Sequence, residues 1–121
     1  MSGLKDVTPL PYNLPDIIKQ KDDTIYIVEG EKDVETLREK GLLATCNSGG
    51  SGNWNPALNK FFQHRNIIIL PDYDDAGKSH AKLVASELQG IAESIKIIEL
   101  PDLKPKEDPT DFFNKGGTID Q

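Results

Sequence analysis

Two groups of carboxylates stand where this chain turns from apolar to polar. Residues 24–28 read TIYIV and run directly into Glu29, Gly30 and Glu31, with Asp33 close behind. Residues 66–70 read NIIIL and run into Pro71, Asp72, Tyr73, Asp74 and Asp75. A carboxylate that ends a buried strand is costly unless it is paired or bound to a metal, and this singles out Glu29. Asp72, Asp74 and Asp75 are packed so closely that they repel one another, and a divalent cation relieves that repulsion. Hard oxygen donors suit Mg²⁺ (or Mn²⁺), an ion that keeps several waters and bridges to phosphate oxygens. Simpler roles exist for some of these residues. Glu31 and Asp33 fall in a helical first turn, where the helix dipole favours an anion. Asp74 or Asp75 can cap a helix. Neither role accounts for Glu29 or Asp72.

Such residues must be positioned by regular elements, and the pattern of the chain supplies them. The β-branched and aromatic run 24–28 predicts a buried strand. Residues 31–40 predict a helix with Val34 and Leu37 on one face and Gly41 as its stop. A short strand follows at 42–45, then a glycine-rich loop at 47–55. Asn55 is placed to cap a short helix that has Pro56 at its first position. Residues 66–70 form a third strand, covered on both faces. A helix is expected over about 75–89, with Leu83, Val84 and Leu88 facing inward. A fourth strand at 94–100 and a last short helix near 110–114 complete the pattern. Alternating strands and helices predict an α/β fold, with about four central parallel strands and helices on both faces. Functional groups of such sheets collect beyond the carboxyl ends of the strands, where Glu29 and Asp72 fall. If those two share a site, the first and third strands are adjacent. Residues 1–23 read as a proline-containing lead-in with one helical turn near 15–19, and residues 24–121 as the domain itself.

Composition narrows the function. Twenty acidic residues against fourteen basic ones give a net charge of −6. That is the wrong sign for a free-standing nucleic-acid binder, so bound divalent metals or basic neighbouring domains must cancel the charge. The single Cys46 excludes an internal disulfide and a Cys-rich zinc site, and a reduced, cytoplasmic setting is expected. No apolar run approaches the roughly 18 residues of a membrane span, and no signal peptide is visible.

Three familiar motifs fail. Gly77, Lys78 and Ser79 mimic the end of a phosphate-binding Walker loop, but Asp72 stands where its first glycine belongs. Asp72 to Gly77 mimics the start of an EF-hand, but Ala76 and Leu83 occupy ligand positions. The glycines at 49, 50 and 52 lack dinucleotide-binding spacing. A phosphatase of the haloacid-dehalogenase type also uses D-x-D after a strand, but normally after the first strand.

Val28-Glu29-Gly30-Glu31-Lys32-Asp33, a glycine-rich loop, and then Asp72-Tyr73-Asp74-Asp75-Ala76-Gly77 resemble the Toprim pattern of primases, topoisomerases, recombination mediators and some nucleases. The resemblance spans roughly residues 24–113. Tyr12-Asn13-Leu14-Pro15, the E-G-E-K-D form of the first motif, and Gly49-Gly50 followed by Trp54 resemble phage and plasmid primases and primase–helicases. So does Lys106-Glu107-Asp108-Pro109-Thr110-Asp111, which is similar to the late acidic motif of primases. The resemblance implies a catalytic and metal-binding set of Glu29, Asp72 and Asp74, with Glu29 as ligand or general base. Asp33 and Asp108 would be second-site ligands or act through water. It implies single-stranded DNA and nucleoside triphosphates as partners and Mg²⁺-dependent synthesis of RNA primers. It also implies zinc-binding and helicase modules, which this sequence does not contain, so a fragment of a larger replication protein is expected. A Toprim nuclease and a non-catalytic metal-binding recruitment module stay open. Lys32, Lys78 and Lys82, with Asn47, Gly49 and Gly50 in the loop, are candidates for contacting nucleotide or nucleic acid. Trp54 suits a base stack or a core anchor equally. His64 and Arg65 are expected at the surface, and Cys46 in the core.

Overall fold

The computed structural model describes residues 12–46, 54, 56–100 and 107–116. Four strands form one all-parallel sheet: β1 (Ile25–Ile27), β2 (Ala44–Thr45), β3 (Asn66–Ile69) and β4 (Ser94–Ile97). Their spatial order is β2-β1-β3-β4, so β1 and β3 pair at the centre, as the shared-site argument requires. Ile25, Tyr26 and Ile27 align with Ile67, Ile68 and Ile69. The chain leaves β1 towards one edge and reaches β3 on its other side. The point where strand order reverses therefore lies between the ends of β1 and β3, and a crevice opens at such a point.

Period-two alternation divides the strand side chains between two cores. Ile25, Ile27, Ile67 and Ile69 face α1 (Leu14–Lys19), a 3-10 helix (Pro56–Phe62) and α3 (Asp75–Leu88), meeting Ile17, Leu58, Phe62, Ala81, Val84 and Leu88. Tyr26, Val28 and Leu70 face α2 (Glu31–Glu39) and α4 (Pro109–Asn114), meeting Val34, Leu37, Phe112 and Phe113. Central strands are thus buried on both sides, whereas β4 is an edge strand with Ile97 and Ile98 partly exposed.

Two local expectations need correction. Leu83 does not face inward; it is 42% exposed. The buried stripe of α3 runs through Gly77, Ala81, Val84 and Leu88. Those positions recur every three to four residues, and Leu83 lies about 100° off that line. The short helix expected from Pro56 is present, as a seven-residue 3-10 helix. Arg65 is not a free surface residue. Its guanidinium donates to the carbonyls of Ile17, Gln20 and Asp23 at 3.0, 2.6 and 3.1 Å. These are carbonyls at and beyond the end of α1, which helical bonding leaves without partners.

Arg65 therefore holds α1 against the domain, helped by Asn13 Nδ2 on the Ala44 carbonyl and the Thr45 hydroxyl on the Tyr12 carbonyl. Trp54 is a core anchor. It is buried against Phe62 and its indole N–H donates to Asn59 Oδ1 at 2.7 Å. Cys46 is buried, and desolvation pushes its thiol up to about 12. Among the described residues, no helix is long and apolar enough to cross a membrane. Replacing Arg65 by Met should destabilise the fold by about 2 kcal/mol, the scale of hydrogen bonds to a charged donor. Chemical denaturation measures this, and a loss below about 0.5 kcal/mol would remove Arg65 from the scaffold.

Candidate metal centre

Glu29 follows β1 by two residues and Asp72 follows β3 by three, so the central strand pair sets them side by side. Glu29 Oε2 accepts the Asp72 backbone N–H at 3.0 Å. Asp74 sits in extended backbone as the N-cap of α3, and its Oδ1 accepts the Gly77 N–H at 2.6 Å. Gly77 is the pivot of this arrangement. A Cβ there would lie 2.5 Å from the Asp72 carbonyl oxygen and 2.6 Å from Glu29 Oε2. No side chain fits such a gap, so glycine alone lets the first turn of α3 close onto both strand ends. The sequence motif contained this glycine, but its contact with Glu29 lies 48 residues back along the chain.

Asp72 Oδ1 is buried and has no hydrogen-bond partner. Burial, then the charge of Glu29, and then those of Asp33, Asp108 and Asp74, push the Asp72 carboxyl up to about 7. At neutral pH this group is close to half protonated. The site stores like-charge repulsion that a cation would relieve.

Asp33 and Asp108 are held elsewhere. Asp33 is 4% exposed, and its Oδ1 accepts both the backbone N–H and the hydroxyl of Thr110, at 3.2 and 2.5 Å. Asp108 is the N-cap of α4. It accepts the Asp111 N–H while Asp111 accepts that of Asp108, a reciprocal capping box. Asp108 Oδ2 also pairs with Lys32 Nζ at 2.9 Å. Burial by itself would raise the Asp108 carboxyl, but Lys32 and the Asp111 donors hold it below the usual range.

The remaining basic candidates are dispersed. Lys78 Nζ lies 4.9 Å over the Tyr73 ring and 3.7 Å from Glu99. Lys82 is exposed beside a cavity of about 650 Å³ between α3 and β4, whose lining includes none of the candidate metal-binding acids. Asn47, Gly49 and Gly50 lie outside the described residues. His80, which follows the second motif, has a buried Nδ1 without a partner.

A profile described as Toprim-like matches residues 26–113. The chain belongs to that family. No curated protein gives a match. Toprim-like domains occur in primases, nucleases and topoisomerases and generally bind Mg²⁺ through acidic side chains. The domain is accordingly of the metal-dependent, nucleic-acid-enzyme type.

The residues present fit such an ion. Every donor in the set is a carboxylate oxygen, and Asp72 Oδ1 is an acceptor that the protein leaves unused. Among the described residues, no three acidic, His or Cys side chains are grouped so as to hold a metal ion by themselves. Mg²⁺ takes one or two carboxylates and fills its octahedron with water and phosphate oxygens.

Two outcomes follow for this Toprim-like domain. Gly77→Ala should cost about 1–3 kcal/mol, because the clash is partly with backbone. It should also displace Glu29, seen as a loss of divalent-ion binding beyond what the stability change accounts for. Unchanged stability and binding would contradict the close approach. The second outcome concerns pH. The folded carboxyl of Asp72 lies above its unfolded value, so its contribution to stability is full below about pH 4. That contribution is lost as pH rises through about 7 in the absence of metal. Carboxyl NMR of the metal-free protein should place its midpoint near 7. A midpoint in the ordinary Asp range would contradict the buried, crowded environment.

Proposed function

We propose that this Toprim-like domain is the catalytic domain of a DNA primase, performing Mg²⁺-dependent nucleotidyl transfer on a single-stranded DNA template. The observation that carries the reading is the pair formed by Glu29 on the Asp72 amide and the unpartnered, buried Asp72 Oδ1. Glu29, Asp72 and Asp74 would hold the ion. When bound, it supplies charge neutralisation of phosphate oxygens and a lowered pKa for the attacking hydroxyl.

The chain's own residues supply the rest. The Asp72 N–H fixes one Glu29 oxygen and so orients the carboxylate, whose other oxygen would accept a proton from the nucleophile. Asp72 would have to be ionised to act as a ligand, which would link activity to pH near neutrality. Asp74 is fixed through its cap to α3 by one oxygen, and its other oxygen would be the one offered to the ion. The primase assignment over other Toprim-like activities is supported by the segment from Lys106 to Asp111, similar to the late acidic motif of primases. Of this segment, residues 107–111 lie against α2 and the loop after β3, through the Thr110 N–H on Asp33 and the Tyr73 N–H on the Glu107 carbonyl.

Grip on the template must come from elsewhere. The net charge is −6, and Lys32 and Lys78 are engaged with carboxylates. Affinity for a polyanion needs basic neutralisation, which zinc-binding and helicase modules of a larger replication protein would provide. The isolated domain should therefore bind an Mg²⁺–nucleoside triphosphate better than a bare oligonucleotide.

Template-directed ribonucleotide incorporation, with those modules supplied, is the test. Incorporation should fall about 100-fold or more in Glu29→Gln, the scale of a lost general base or ligand. Nicking of DNA or RNA without added nucleotides, lost in the same variant, would instead assign a nuclease. Neither activity in the presence of divalent metal would leave a metal-binding recruitment module.

A further inference from the structure

Asp33 is the acidic residue of the first motif that the structure treats differently from the rest. Glu29 and Asp72 follow the carboxyl ends of β1 and β3, whereas Asp33, on α2, is buried against α4. Its Oδ1 takes two donors from one residue, the Thr110 N–H and the Thr110 hydroxyl. The Thr110 hydroxyl also meets Thr36 Oγ1 at 2.9 Å, on the same face of α2 one turn beyond Lys32. Such a carboxylate acts as an external cap for the start of α4, satisfying an N–H that helical bonding leaves open.

What α4 carries explains why its docking matters. Asp108 precedes it as N-cap, and Lys32 clamps Asp108 from α2 at 2.9 Å. The carbonyl of Glu107 accepts the Tyr73 N–H at 2.7 Å. Tyr73 stands between Asp72 and Asp74. A continuous chain of bonds thus runs from Asp33 through Thr110 and the start of α4 to the Glu107 carbonyl, and from there to the backbone between the two aspartates.

We propose that Asp33 is a positioning residue that sets the Asp72–Asp74 loop through α4, and that it does not ligate the metal. The inference rests on the metal-binding reading above and deepens it, since it divides the acidic residues into those that meet the ion and one that holds their frame. The chemistry separates the roles cleanly. Asparagine keeps the oxygen acceptor that Thr110 needs but is a poor replacement for a carboxylate ligand. Alanine loses both. Thr110→Val keeps the Asp33 carboxylate and removes only the hydroxyl donor.

The experiment is calorimetric titration of the full chain with Mn²⁺, without nucleotide, on wild type, Asp33→Asn, Asp33→Ala, Thr110→Val and Asp72→Asn. Positioning predicts that Asp33→Asn binds within about threefold of wild type, while Asp33→Ala and Thr110→Val weaken binding about tenfold, the scale of a lost hydrogen bond to a charged group. Amide exchange at Tyr73 should speed up in Thr110→Val and stay slow in Asp33→Asn, a readout independent of metal. The proposal is overturned if Asp33→Asn falls as far as Asp33→Ala, as a direct ligand would, or if Thr110→Val binds and exchanges like wild type. Should Asp33→Ala not fold, the other two variants decide the matter by the same criteria. Failure of wild type to bind Mn²⁺, or equal binding by Asp72→Asn, is a separate result that removes the metal reading itself and this inference with it.

Discussion

The approach of Gly77 to Glu29 and Asp72 is the contact on which the carboxyl end of the sheet depends. A hydrogen atom in place of a side chain lets α3 begin directly over the β1–β3 junction. From that position its third residue donates to Asp74 and fixes the cap, while the Asp72 N–H turns to Glu29. Each bond presupposes the others. If α3 started farther out, Asp74 would lose its donor and Asp72 would be solvated. Its carboxyl would then return towards the ordinary range, because burial is the largest cause of its rise. The same close start puts Ala81, Val84 and Leu88 in line with Ile27 and Ile69, so the packing of one core and the geometry of the site share one constraint.

Strand ends were legible in the sequence because apolar runs and the carboxylates that stop them are local signals. Periods of two and 3.6 gave the parallel sheet, its central pair and the helices, and the family resemblance added order to the two acidic motifs. What stayed hidden depends on distant partners. Asp33 read as a helix-terminus anion or a ligand, because Thr110 lies 77 residues further on. Arg65 read as surface because its three acceptors are backbone carbonyls more than 40 residues earlier, and any sequence can supply a carbonyl. Leu83 read as core because hydrophobicity was weighed without the angular register that Gly77, Ala81 and Val84 impose. The 3-10 form of the segment after Pro56 had no sequence signal at all.

Hydrogen bonding sorts the acidic residues into two kinds. Asp33, Asp108 and Asp111 are satisfied: each accepts backbone donors, and Asp108 also has Lys32. These bonds tie α4 to α2, although burial still holds the Asp33 carboxyl above the usual range. Asp72 differs in having a buried oxygen left bare, and burial, followed by the charges of Glu29 and its other acidic neighbours, drives its carboxyl up. A buried acceptor without a donor costs on the order of 1–3 kcal/mol. Sequence alone gives both kinds the same letter.

The scaffold acids also explain why the bare oxygen is not quenched from within. Lys32, the cation nearest in sequence to Glu29, is drawn onto Asp108, and Lys78 is drawn over Tyr73 towards Glu99. A lysine on Asp72 would lower its carboxyl pKa and relieve the repulsion, but it would also occupy the position of an incoming cation and weaken its binding. By giving Lys32 and Lys78 other partners, the fold leaves the strand-end carboxylates without a lysine counter-charge from these two. Underneutralised oxygen donors at the carboxyl ends of the central strands carry an electrostatic demand that protonation of Asp72 relieves in part and that a divalent cation would relieve further.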